Sequence, residues 1–198
     1  MSELYTIATP GESKVTEKMS RFYGFARHAG SVEQAKEIIR TITNEYHDAR
    51  HVCWAYTVGV GSEMRSLCND NGEPSGTAGR PIQGQLTSFS LTDTVVVVVR
   101  YFGGIKLGTG GLTVAYRTAA REAIENAELC ERPVMQEISF TFPYIAMNEV
   151  MKIVKGNGVD ITGQQFDNTC FMSIRVREAD AEAIRQRLFG LSGVTAAE

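Results

Sequence analysis

Val95-Val-Val-Val-Val99-Arg-Tyr-Phe-Gly-Gly-Ile-Lys-Leu-Gly-Thr-Gly-Gly111 is the stretch whose reading decides the fold. Five valines with no polar alternation predict a strand over Thr94–Tyr101 that is buried on both faces. Five glycines then fall between Gly103 and Gly111. An alanine-rich helix is expected from about Leu112 to Asn126, its inner face formed by Leu112, Ala115, Tyr116, Ala119, Ala120 and Ala123. Glycine lets another molecule approach the backbone closely. A helix N-terminus offers free N–H groups and a partial positive charge. A strand, a glycine loop and a helix start together predict an anion site, with Arg100 or Lys106 as counter-charge.

Two familiar nucleotide patterns are missing from that loop. No Gly-Lys pair is followed by Ser or Thr, so it is not a P-loop. Gly108-Thr-Gly110 begins a dinucleotide fingerprint, but Thr113 stands where the third glycine belongs. ATP and NAD sites therefore have little support, and no cofactor is expected.

Working outward, a first strand is predicted at Ser20–Arg27. Ser31-Val-Glu-Gln34 reads as a capping box before a helix with Ala35, Ile38, Ile39, Ile42 and Tyr46 on one face. A strand at Val52–Val60 and a shorter one at Met64–Leu67 follow, joined by Gly59-Val-Gly-Ser62. Cys68 to Arg80 reads as a polar, glycine-rich loop. Pro81 suits a first helical turn, with Ile82, Leu86 and Phe89 at i, i+4 and i+7. After Pro133 a different order appears: strand Val134–Phe142, helix Tyr144–Lys155 stopped by Gly156-Asn-Gly158, strands Val159–Phe166 and Thr169–Val176, helix Ala181–Phe189 capped by Asp180, and a closing strand Val194–Ala197. The order β-α-β-β-α-β is the ferredoxin-like pattern. The expected domains are 1–130 and 131–198.

The net charge is −3 over 198 residues. Residues 1–130 carry 13 Lys+Arg against 14 Asp+Glu, and residues 131–198 carry 7 against 9. Neither half is basic overall, so any nucleic-acid or anion surface must be a local patch. No secretory signal or membrane span is read from the chain, and the four cysteines form no C-x-x-C pair, so a cytoplasmic protein with reduced thiols is expected.

Three further groups invite chemistry. The loop Asn69-Asp-Asn-Gly-Glu-Pro-Ser-Gly-Thr-Ala-Gly79 holds two carboxylates, Asp70 and Glu73, and two hydroxyls, Ser75 and Thr77. An acid–base pair or a divalent cation is one reading; turn chemistry is the other, and it is preferred because two carboxylates are too few for a dedicated metal site. His51 and Cys53 would share one face of a strand, with His47 nearby. They are too few for structural zinc and lack the remaining parts of a nucleophile site. Arg80, Arg100, Lys106, Arg117 and Arg121 form a basic set with Tyr101, Phe102 and Tyr116 close by, a combination suited to single-stranded RNA.

The segments Asp70–Gly79 and Arg100–Gly111, with their spacing, resemble the IMPACT family, and its bacterial YigZ-like branch most closely. Glu17–Gly24 and Arg50–Tyr56 look like that family too, and the resemblance covers about residues 14–126. One departure is Asn71, where relatives often carry a second Asp. The resemblance implies a two-domain α+β fold: a βα sandwich with a four-stranded sheet, like those of ribosomal proteins and ribonuclease PH, then a ferredoxin-like domain similar to the last domain of elongation factor G. Eukaryotic members regulate translation by competing for an activator of a starvation-sensing kinase.

These readings converge on an RNA- or ribosome-associated binding protein rather than an enzyme, with no catalytic residues and no metal. The binding wall is expected at Arg100, Gly103, Gly104, Lys106, Gly108, Gly110, Gly111, Arg117 and Arg121. The facing wall is expected at Asp70, Gly72, Glu73, Ser75, Gly76, Thr77, Gly79 and Arg80. An enzyme for a phosphorylated substrate and a protein-docking module are the alternatives.

Overall fold

The computed structural model describes residues 3–155 and 159–197. The glycine stop expected at Gly156–Gly158 lies outside the described residues. The chain divides into two compact units, Met1–Arg132 and Pro133–Glu198.

The first unit contains β1 (Tyr5–Thr9), β2 (Gly11–Glu17), β3 (Ser20–His28), α1 (Val32–Glu45), β4 (His51–Val58), β5 (Arg65–Asn69), α2 (Gly79–Ser88), β6 (Thr94–Tyr101), α3 (Gly108–Glu125) and β7 (Glu128–Glu131). Its main sheet has five strands in the order β2-β3-β6-β4-β5, not four, and β1 pairs separately with β7. Every neighbouring pair of the main sheet is antiparallel.

The valine strand β6 lies at the centre of this sheet, and Val95–Val99 are all fully buried. Period-two alternation sends the valines to two different cores. Val96 and Val98 join Ile82, Leu86, Ala119 and Ala120 beneath α2 and α3. Val95, Val97 and Val99 join Ile42, Val52 and Tyr56 beneath α1. An antiparallel strand thus reads as continuously apolar because helices cover both faces of the sheet. The alanine face of α3 packs directly on β3: a Cβ at Gly24 would lie 2.5 Å from the Ala119 carbonyl oxygen.

Ser31 does cap α1, its hydroxyl accepting from the Gln34 N–H at 3.1 Å. The return bond of the expected box is shifted by one residue, since Gln34 Oε1 accepts from the Gly30 N–H at 2.8 Å.

The second unit runs β8 (Met135–Pro143), α4 (Met147–Lys155), β9 (Asp160–Gln165), β10 (Thr169–Arg177), α5 (Glu178–Phe189) and β11 (Thr195–Ala196), with strand order β11-β8-β10-β9. Phe140, Phe142, Val150, Met172, Ile174 and Leu188 fill its core. Asp180 is not the cap of α5. That helix starts earlier, with Arg177 at the cap position, and Asp180 sits in the first turn, where its charge complements the helix dipole.

Candidate anion-binding cleft

The two glycine-rich segments border one cavity of about 400 Å³. The approach to β4 supplies Arg50 and His51, and the loop after β5 supplies Glu73 and Pro74. Arg100 and Phe102 come from the end of β6. Lys106, Leu107, Gly108, Thr109 and Leu112 come from the connection and the first turns of α3. Arg100, Lys106 and Gly108 therefore line the same cavity as Glu73.

The glycine segment is not one loop. Helix α3 already begins at Gly108, so Gly108, Gly110 and Gly111 belong to its start, four residues ahead of the expected Leu112. Gly103 has a packing role, since a Cβ there would lie 2.0 Å from the Met19 carbonyl carbon. Gly104 takes φ +89° and Gly108 φ +71°, a region costly for other residues. A side chain at Gly110 would meet nothing within 4 Å. Neither packing nor φ therefore requires glycine there, and its absence of side chain leaves the start of α3 bare. No side chain caps α3, so its first N–H groups have no cap hydrogen bond from Leu107.

Beneath the cleft is a buried polar chain. Arg100 Nη1 donates to Glu73 Oε1 at 2.6 Å, with the two side chains only 7% and 3% exposed. The Tyr116 hydroxyl donates to the same oxygen at 2.8 Å. The Cys53 thiol lies 3.4 Å from that hydroxyl and donates to the Asp70 carbonyl at 2.9 Å. Burial, with the neighbouring thiol and carboxylate, raises the Tyr116 pKa, so the phenol stays neutral. The Phe22 ring meets Tyr116 edge-on at 5.1 Å. Arg100 also lies 5.6 Å from the ring centroids of both Phe22 and Phe102. The guanidinium is thus held between an ion pair and two rings, yet its Nε is buried with no hydrogen-bond partner among the described residues.

The second wall is narrower than expected. Only Glu73, with its neighbour Pro74, reaches the cleft. Asp70 instead organises its own loop, accepting backbone N–H bonds from Gly76 (2.8 Å), Ala78 (3.0 Å) and Gly79 (2.8 Å). Burial opposes its ionisation, but these three bonds and nearby Arg80 together hold its pKa below the usual carboxylate value. Asp70 thus secures the start of α2. The Thr77 hydroxyl donates to the Pro74 carbonyl at 2.6 Å. Gly79 packs on the Asn69 backbone, while Gly72 and Gly76 take φ +82° and +76°. Ser75 and Arg80 are exposed. These residues shape the loop without lining the cavity.

Arg117 and Arg121 do not line it either. Both are exposed further along α3, and Arg121 pairs with Glu125 at 2.7 Å. Their i, i+4 spacing was legible; their distance from the start of the helix removes them from the cleft. The cavity also takes in Arg50, His51 and Phe102, which the expected walls left out, whereas the hydroxyl of Tyr116, expected beside the basic set, joins the buried chain.

His51 and Cys53 are not a nucleophile pair. The His51 Nδ1 donates to the Asn71 carbonyl at 3.0 Å, whereas Cys53 points to Asp70 and Tyr116. Burial pushes the Cys53 thiol up to about 12, so it is not a thiolate at neutral pH. Among the described residues no cluster of three His, Cys, Asp or Glu side chains is placed to hold a metal, and no helix is long and apolar enough to cross a membrane.

The fold and cleft define a two-unit α+β protein with a cation-lined pocket at a helix start. The Impact N-terminal domain family matches residues 18–124, and this chain belongs to the IMPACT family. It is 36% identical over 146 residues to the IMPACT family member YvyE of Bacillus subtilis, covering 74% of this chain and 67% of that protein. It is 38% identical over 128 residues to the IMPACT family member YigZ of Escherichia coli, covering 64% and 63%. A solved structure described as a hypothetical protein overlaps with a TM-score of 0.68 at 27% identity, over 100% of this chain and 98% of that one.

Proposed function

We propose that this chain is a cytoplasmic RNA-binding protein that acts in translation, and that the cleft is where it holds RNA phosphate. The observation that carries the reading is the convergence of Arg50, Arg100, Lys106 and the uncapped start of α3 on one cavity. Arg50 and Lys106 have no ion-pair partner among the described residues, so their charge is available to a ligand. Net charge of −3 suits a local patch rather than a broad basic face. The translation role rests on the family resemblance. The second unit, with its β-α-β-β-α-β order, is assigned a ferredoxin-like fold on the same footing, and the first a βα sandwich like those of ribosomal proteins and ribonuclease PH.

Catalysis on a phosphorylated substrate is the weaker reading. Both Asp70 oxygens are occupied by backbone N–H groups, and Glu73 commits one oxygen to the Arg100 guanidinium and the Tyr116 hydroxyl, so both carboxylates serve the fold first.

The test is single-stranded RNA binding by the wild-type chain, Lys106→Ala and Arg50→Ala across a salt series. Each substitution should weaken binding and lower the slope of log K against log salt by about 0.7. Unchanged affinity and slope in both variants would remove the cleft from RNA recognition.

A further inference from the structure

Phe102 is exposed by 51% although it borders an apolar-walled cavity. It stands one residue after β6, so its ring is placed by a rigid strand end. The Arg100 guanidinium lies over the Phe102 ring at 5.6 Å from its centroid, and over the Phe22 ring at the same distance. The result is a held aromatic surface with about half of its area open, beside Lys106 and the start of α3. Arg100 itself is only 6% exposed and lines the cleft, and its Nε is unpartnered among the described residues. A buried guanidinium nitrogen with no acceptor is costly.

An exposed aromatic ring beside unpaired cations suits a base and its phosphate together. The cavity of about 400 Å³ has the size of a small-molecule pocket, enough for one monomer unit. Bases inside a duplex are stacked on both faces and offer no free face to a ring, whereas a single strand does.

We propose that the cleft takes one nucleotide of single-stranded RNA, its base stacked on Phe102 and its phosphate held by Lys106 and the N–H groups at the start of α3. This assignment rests on the RNA reading above and adds the strand type and the contact that holds the base.

The test uses the full chain and a short fluorescein-labelled uridine homopolymer, followed by anisotropy over a salt series. Phe102→Ala should weaken binding by about 5- to 150-fold, the range for one lost base–aromatic stack, and leave the salt slope unchanged. Phe102→Trp should recover most of that loss. A matching oligomer with abasic positions should bind the wild-type chain about as weakly as the homopolymer binds Phe102→Ala, which checks the stack without altering the protein. If Phe102→Ala and the abasic oligomer both retain wild-type affinity while Lys106→Ala weakens it, the stacking assignment is overturned and the phosphate site stands. If the wild-type chain shows no saturable binding to either oligomer, both are overturned.

Discussion

Replacing Glu73 with alanine should unfold the first unit at markedly lower denaturant and temperature. Glu73 is 3% exposed at its side chain and gives a single oxygen to both Arg100 (2.6 Å) and Tyr116 (2.8 Å). Truncation leaves a guanidinium charge buried without its counter-ion, which costs about 3–5 kcal/mol when one partner of a buried pair is removed. The lost phenol bond belongs to the same network and is not added separately. At about 2–4 °C per kcal/mol, the midpoint should fall by roughly 6–20 °C. The chain has one tryptophan, Trp54 in β4, so its fluorescence reports the unfolding of this unit. Glu73→Gln, which keeps an acceptor but no charge, should lose less than Glu73→Ala. Glu73→Leu combined with Arg100→Met should also lose less, because an apolar pair avoids the stranded charge. A Glu73→Ala midpoint within about 1 kcal/mol of wild type would refute the view that this acid is a structural counter-ion.

Other consequences are as direct. Gly110→Ala should stabilise α3 by up to about 1 kcal/mol in chemical denaturation, since its Cβ meets nothing, and should weaken RNA binding by crowding the start of α3. Gly103→Ala should destabilise the fold, because its Cβ would collide with the Met19 backbone; a wild-type midpoint would contradict that packing. Asp70 has a folded-state pKa below its unfolded one, so its stabilisation is present above the unfolded value near 4 and is lost as pH falls through the lower folded value. Asp70→Asn should remove that part of the acid dependence of stability, measured as urea midpoints at several pH values. Thiol labelling with an aromatic disulfide at pH 8 should modify exposed Cys130 first and leave Cys53 unreacted in the folded chain, since Cys53 is buried and held near 12.

The centre of the fold was legible because its signals are local. Five valines bounded by Thr94 and Tyr101 could only be a strand covered on both sides, and the small residues of α3 announced a close packing partner. Less legible were β1, β2 and β7. Gly11–Glu17 is an edge strand whose Glu12, Lys14 and Thr16 face solvent, so its apolar content is too low to stand out. The start of α3 was read four residues late because glycine has poor helix propensity, although the first turn depends least on intrahelical bonds. Within the site, Arg100, Lys106 and Gly108 could be picked from the segment itself. Glu73's pairing with Arg100 could not, because 27 residues separate them and only the β6-β4-β5 arrangement brings their segments together. Arg117 and Arg121 lie off the cavity for the opposite reason: helical spacing shows which residues share a face but not how far that face lies from a cleft.

The claim that the cleft binds RNA is tested most directly by amide chemical-shift mapping of the labelled chain titrated with a short single-stranded RNA. The account predicts saturable shifts concentrated at residues 102–112 and at Arg50, His51 and Glu73, lost in Lys106→Ala. Saturable shifts confined to residues outside that cleft, or no shifts at all, would contradict it.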